Sequence, residues 1–243
     1  MKIAVTFWGT QKYIEFLPQW YERLEKYFIP EVEKKYFVFS DGDLEGSPDN
    51  IVKIEIPHYG FPTTYHKTFE EMLKLENQIS DCDWLVSVDA DLYAWEKIEY
   101  SEFFDDTKKY LGVHHPCHKI GFQPHNQYPG SYDVNPLSNA CIHDSIIDMS
   151  VYYQGCLWGG KVPYIFDMMR QIDTWTKEDI LKNIQARYYE ESYMNKWFLT
   201  HREETHTLAP DYAFPEMFEQ YCDFSKKMVH IAKDNKALDN NQW

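Results

Sequence analysis

The chain has 243 residues, enough for one large domain or two smaller ones with a substantial core. Hydrophobic residues make up 44% and aromatic residues 17%, with 19 Tyr and 8 Trp, which excludes a disordered or low-complexity protein. A formal net charge of -15, from 39 acids against 24 bases, repels nucleic acid and anionic membrane, and no basic cluster offsets it.

Lys2 to Phe7 reads as a first strand, with no signal peptide ahead of it. From Lys12 to Phe28 the apolar residues Ile14, Leu17, Tyr21, Leu24 and Phe28 recur every three or four positions, one face of an amphipathic helix. A second strand is expected over Tyr36 to Phe39. A third covers Ile51 to Ile56, where Val52, Ile54 and Ile56 share a face. Helix two is expected from about Thr64 to Ser80, with Phe69, Met72, Leu73 and Ile79 inward. This β-α-β-β-α-β order predicts an α/β sheet of nucleotide-binding type.

The next strand, Trp84 to Val88, is short, mostly apolar and ends in Asp89-Ala90-Asp91. Such a run suits a strand buried on both faces, and ligand sites of these sheets lie beyond the strands' carboxyl ends. Residues two apart on an extended chain point the same way, so Asp89 and Asp91 share a face there. Two hard oxygen donors suit Mg²⁺ or Mn²⁺ carrying a substrate phosphate. The same spacing recurs at Asp41-Gly42-Asp43 and Asp81-Cys82-Asp83, so solvated loop acids are the alternative reading.

Tyr110 to Asp148 looks irregular, and a long loop-rich stretch in a compact domain is usually functional. Its histidines, His114, His115, His118 and His125, lack zinc spacing and are read as loop or substrate contacts. Tyr152 to Gly160 carries glycine at 155, 159 and 160, which fits either close backbone approach to a ligand or a tight sheet corner. Helices are expected over Pro163 to Trp175 and Lys177 to Arg187, then a short one from Glu190 through Trp197. Acids at that last start are, by default, helix caps or dipole partners. Lys226 to Trp243 is polar and reads as a tail. Five scattered cysteines (82, 117, 141, 156 and 222) suggest reduced thiols in a cytoplasmic protein, and no run approaches the ~18 residues of a membrane span.

Taken together in order, six segments resemble glycosyltransferase family six, the retaining α-1,3-galactosyl- and α-1,3-N-acetylgalactosaminyltransferases. Asp89-Ala90-Asp91 is similar to the family's metal-binding Asp-x-Asp, and Leu111 to Pro116 to its Leu-x-x-x-His-Pro. Ser131 to Ala140 resembles Thr-Tyr-x-x-x-Pro-x-Ser-x-Ala, and Tyr152 to Gly160 the Tyr-Tyr-x-Gly-x-x-x-Gly-Gly that cups the donor sugar. Glu190 to Lys196 is similar to Asp-Glu-Ser-His-Leu-Asn-Lys, and Leu208 to Tyr212 to Leu-Ser-Pro-Glu-Tyr.

The resemblance implies a nucleotide-diphospho-sugar transferase (GT-A type) fold, a Rossmann-like mixed sheet flanked by helices. It implies one catalytic domain over 1–243: a donor part to about 100, an acceptor part to about 225 and a flexible tail from about 226. The reaction would move N-acetylgalactosamine or galactose from a UDP-sugar to a galactoside, with Mn²⁺ or Mg²⁺ on Asp89 and Asp91. Glu191 falls on the catalytic glutamate, and Glu190, Gln154, Gly155 and Cys156 on donor-sugar positions. Phe7, Trp8 and Tyr13 fall near the uracil aromatics, with Lys67, Lys233 and Lys236 as cations toward the UDP. His115, Ser131 and Tyr188 fall on acceptor-binding positions.

The chain departs from the family at two places. Thr68 stands where a donor-binding arginine is expected, leaving Lys67 nearest, and Asp239 stands where a second basic tail residue is expected. Bacterial members often carry Asn-x-Asn instead of the acids kept here. A counterpart of the vertebrate membrane anchor is not seen, which suggests a microbial or viral enzyme. Competing readings are another metal-dependent retaining transferase of the same fold, or a carbohydrate-binding protein without catalysis.

Overall fold

The computed structural model describes residues 1–121, 132–143, 150–233 and 238. Seven strands form one mixed sheet in the order β3-β2-β1-β4-β7-β6-β8. The parallel part is β1 (Lys2–Trp8), β2 (Glu33–Ser40), β3 (Ile51–Glu55) and β4 (Trp84–Val88). β7 (Tyr153–Lys161) runs antiparallel between β4 and β6 (Tyr110–His114), and β8 (Thr205–Leu208) lies parallel to β6. The mixed, helix-flanked α/β sheet expected from the sequence is the fold observed.

The strands are apolar because both faces are covered. On β1, Ile3, Val5 and Phe7 pack with Trp20 and Leu24 of α1 (Leu17–Tyr27), while Ala4 joins the opposite layer. That second layer holds Phe69 and Met72 of α2 (Thr63–Met72), Phe166 and Met169 of α5 (Tyr164–Leu181), and Phe198 of α6 (Tyr189–Thr200). Alternating side chains along each strand therefore feed two cores separated by the sheet.

Several boundaries differ from those read in the sequence. The first helix opens as a 3₁₀ stretch, Gln11–Phe16, and turns α-helical only at Leu17. Pro18 suits the join, since a helix's first turn tolerates proline, whose missing N–H needs no partner there. Helix two ends at Met72 rather than near Ser80. The two helices expected between 163 and 187 are one, α5. Thr176 and Asp179 interrupt its apolar period without interrupting the helix, because Asp179 accepts hydrogen bonds from Ser138, Tyr193 and the Asn139 N–H.

The segment taken as irregular contains β6 and a short helix, α4 (Pro116–Ile120). The glycine-rich run is β7, and its glycines divide between the two explanations. A Cβ on Gly159 would lie 2.4 Å from the Leu85 carbonyl oxygen, and one on Gly160 2.9 Å from that of Lys109, so both serve tight strand packing. Only Gly155 faces the site, 3.2 Å from Glu191 by the same measure.

A separate three-stranded sheet joins β5 (Leu92–Ala94), β9 (Phe214–Pro215) and β10 (Met228–His230), and the four-residue α3 (Tyr100–Phe103) lies between β5 and β6. A polar tail was expected from about residue 226, yet β10 begins two residues later. Met228 and Val229 are buried, an apolar pair too short to stand out in so polar a stretch. Among the described residues no helix is long and apolar enough to cross a membrane.

Candidate active site

β4 ends in a turn that is tied down on three sides. The Asp89 N–H donates to the Cys156 carbonyl at 2.9 Å, and the Asp89 carbonyl accepts from Leu92 at 3.0 Å. Trp20 reaches across from α1 and donates to the same carbonyl at 3.1 Å. The turn sits at the carboxyl end of the parallel strands, where such sheets bind ligands. A cavity of about 210 Å³ opens there, with Asp89 and Asp91 on its wall.

The two carboxylates differ. Asp91 is 3% exposed, and its oxygens face a histidine and a lysine: His230 Nε2 at 3.1 Å from one, and the Lys233 ammonium on the other. Burial alone would raise the Asp91 pKa, but His230 and Lys233 hold it well below the usual carboxylate range. Asp89 lies at the pocket floor, where water in the pocket reaches it while protein surrounds it otherwise. Burial, then the Asp91 charge, pushes its pKa up to about 6. One ligand atom each from Asp89, Asp91 and His230 lies within 4.8 Å of the others, the one such cluster among the described residues.

Opposite the turn, the chain enters α6 through Tyr189 at φ 46°, a left-handed conformation that costs energy for a side chain of this size. The Tyr189 ring stacks on Tyr65 of α2, 5.3 Å between centroids at 17°. That turn delivers Glu190 into the pocket wall, with Oε2 buried and without a hydrogen-bond partner among the described residues. Burial drives the Glu190 pKa well above its ordinary value. Glu191 lies one residue on, behind Gly155. It accepts from the Tyr152 hydroxyl at 2.6 Å and from the Gly155 N–H at 2.7 Å. Burial still outweighs both bonds, and its pKa is pushed up to about 7.

The other residues singled out from sequence fall in different places. Trp8 and Tyr13 line the pocket at the end of β1; Trp8 stacks on Phe39 at 4.8 Å, and its indole N–H is buried without a partner among the described residues. Phe7 is withdrawn into the core, edge-to-face with Trp20 at 5.1 Å, because alternation along β1 turns it from Trp8's side. Lys67 pairs with Glu70 at 2.9 Å along α2 and is not on the pocket wall, where Thr68 stands instead. Gln154 is not on the pocket wall, and its buried Oε1 has no partner among the described residues. Cys156 is 3% exposed and packs in the α1-side core rather than on the pocket wall.

His115 caps α4: its Nδ1 accepts from the Cys117 N–H at 3.1 Å. Burial pulls its pKa down to about 3, so the ring is neutral and carries its proton on Nε2. His114 and His118 bond each other at 3.0 Å. Tyr188 precedes α6, its N–H donating to Ser192 Oγ at 2.8 Å. Ser131 and Lys236 lie outside the described residues.

His230, Tyr65 and Thr68 were not read from the sequence as site residues. His230 directly follows the buried Met228-Val229 pair, the one local sign that the polar stretch re-enters the structure.

The model of glycosyltransferase family 6 matches residues 67–241. The chain is similar to the O-antigen biosynthesis glycosyltransferase WbnI of Escherichia coli, 26% identical with 99% of each chain covered. It is also similar to the histo-blood group ABO system transferase 2 of Rattus norvegicus, 24% identical over 98% of this chain and 71% of that one. The human globoside alpha-1,3-N-acetylgalactosaminyltransferase 1 is 24% identical over 89% of this chain, which spans 62% of that relative's length. The family match covers well over half of the sequence and includes both the Asp-x-Asp turn and α6, so the chain belongs to glycosyltransferase family 6 and is a glycosyltransferase.

Proposed function

We propose that the protein transfers N-acetylgalactosamine, with galactose the second choice, from a UDP-sugar in α-1,3 linkage to a galactoside, with retention of configuration and with a divalent ion. One observation carries this reading: a single pocket joins an aromatic end, a paired-carboxylate end and a third carboxylate facing them. Trp8 and Tyr13 would take the uracil, the Asp89–Asp91 turn the diphosphate, and Glu190 the sugar. Buried polar groups are normally paired, so the Trp8 N–H and Glu190 Oε2 on this pocket's wall, without partners among the described residues, suit ligand contacts.

The donor set suits a hard divalent ion. Asp91 is nearly dry and draws two protein cations, which marks the spot as one that needs positive charge. Asp89 makes no hydrogen bond through its carboxylate among the described residues. Mn²⁺ or Mg²⁺ held by these acids supplies Lewis-acid stabilisation of the departing diphosphate.

The chain's own residues do the rest. Glu190 accepts a hydroxyl of the donor sugar. Glu191, fixed by Tyr152 and Gly155, presents negative charge to the oxocarbenium-like centre. His115 offers its Nε2–H to an acceptor hydroxyl, and Tyr188 packs beside the acceptor. Lys233 leaves Asp91 to meet the diphosphate. Gly155 brings bare backbone to the pocket wall, where an acetamido group of the donor would lie, and Cys156 adds no bulk there, since its side chain is in the core. The human relative, by name a globoside alpha-1,3-N-acetylgalactosaminyltransferase, agrees with that choice.

The test is UDP release from a panel of UDP-sugars with and without Mn²⁺, first without acceptor and then with galactosides. Metal-stimulated release from UDP-N-acetylgalactosamine supports the proposal. No release from any donor, with sugar binding retained, would leave a carbohydrate-binding protein.

A further inference from the structure

His230 reaches the Asp-x-Asp turn from a different sheet, and backbone pairing holds it there. β10 runs antiparallel to β5, with His230 opposite Leu92, the residue after Asp91. The Ile231 N–H donates to the Asp91 carbonyl at 3.0 Å. Met228 and Val229 are buried at 0% and 2%, so the strand is pinned in register by its apolar side chains. These links place His230 Nε2 3.1 Å from Asp91 Oδ1.

We infer that His230 is a third protein ligand, with Asp89 and Asp91, to the divalent ion of this site, so that the C-terminal strand closes the metal centre. The inference rests on the metal-dependent reading proposed above and adds a residue and a metal preference to it. Neighbouring ligands of an octahedral ion with bonds of ~2.1 Å lie ~3 Å apart, the spacing His230 and Asp91 already have. A third donor atom, from Asp89, is within 4.8 Å of both.

Lys233 and His230 both face Asp91, but they are not equivalent. An ammonium has no lone pair to give a metal, whereas His230 Nε2 has one once the proton it directs at Asp91 passes to solvent as the ion arrives. An arriving ion therefore displaces Lys233 and retains His230. Imidazole also favours Mn²⁺ and its transition-metal neighbours over Mg²⁺, for which oxygen ligands suffice. The site should then prefer Mn²⁺ more strongly than a two-carboxylate site would.

Mn²⁺ binding to the full chain, with and without UDP, is measured by electron paramagnetic resonance. Electron spin-echo modulation reads the nuclei bonded to the ion. Wild type should show a ¹⁴N coupling that changes when histidine alone is labelled with ¹⁵N. His230→Ala and His230→Gln should lose the coupling, bind Mn²⁺ at least ~10-fold more weakly, and narrow the Mn²⁺-over-Mg²⁺ preference. The wild-type spectrum needs no variant to fold, and unchanged thermal melting of His230→Gln shows whether its loss is local. Mn²⁺ bound without nitrogen coupling overturns the role of His230 and leaves the Asp89–Asp91 site standing. Wild type that binds no Mn²⁺ even with UDP overturns both.

Discussion

Asp91 and Glu191, each the second acid of its pair, are handled in opposite ways by the fold. Asp91 is buried against His230 and Lys233 and stays ionised. Glu191 is also surrounded by protein, but its partners are a neutral hydroxyl and a backbone N–H, and its pKa rises to about 7. Charge partners offset desolvation, whereas neutral donors offset only part of it. Asp91 is thus kept as fixed negative charge, whereas Glu191 is a carboxylate poised near neutrality. Perturbation of this kind marks functional sites.

The largest effect should come from breaking the first pair. Asp91→Asn removes the charge that His230 and Lys233 face, and kcat/KM should fall ~1000-fold, the upper range for loss of one electrostatic contact to a transition state. EDTA should reproduce most of that loss in wild type. Full activity in EDTA would end the metal assignment.

Next is the second pair. Glu191→Gln keeps size and hydrogen-bond reach without the charge, so kcat should drop ~100-fold while UDP binding, by calorimetry, stays put. Weaker UDP binding with unchanged kcat would make Glu191 a structural acid.

A third experiment reads the protonation contrast directly. In the proposed reaction Glu191 works as the anion, and its pKa in the free protein is raised to about 7. The profile of kcat/KM should therefore rise with pH and level off above about 7, since the acid form dominates below. The Tyr152 hydroxyl stabilises the anion, so Tyr152→Phe should move that inflection upward and cost a few-fold at pH 7. An inflection that Tyr152→Phe leaves in place would assign it to another group.

The smallest effect is expected at Cys156. With its thiol in the core, Cys156→Gly should change the ratio of kcat/KM for UDP-N-acetylgalactosamine over UDP-galactose by less than ~10-fold. A larger shift would show that this side chain does reach the C2 substituent.

The first half of the fold was legible because its strands and helices carry their burial in local periodicity. Ile3, Val5 and Phe7 alternate, Leu17 and Leu24 lie a helical repeat apart, and the apolar run to Val88 ends at a pair of acids. The second half was not. β7 contains glycines demanded by the backbone of β4 and β6, neighbours that no local window contains. The Glu190–Glu191 pair read by default as helix caps, and only the resemblance gave it a role.

Composition and period by themselves determined that this chain is a folded α/β protein with an acidic net charge and carboxylates at a strand end. Those properties are sums and short repeats, which a linear string displays. Tertiary structure alone decided which acid is paired with cations, that Phe7 is core while Trp8 is pocket, and that His230 arrives beside Asp91. Each depends on strands paired across long separations: β10 meets β5 through His230 and Leu92, and β7 sets Gly155 against Glu191. Desolvation and charge pairing act over a few ångströms in space, and nothing in the local sequence states which distant residue will supply the other side.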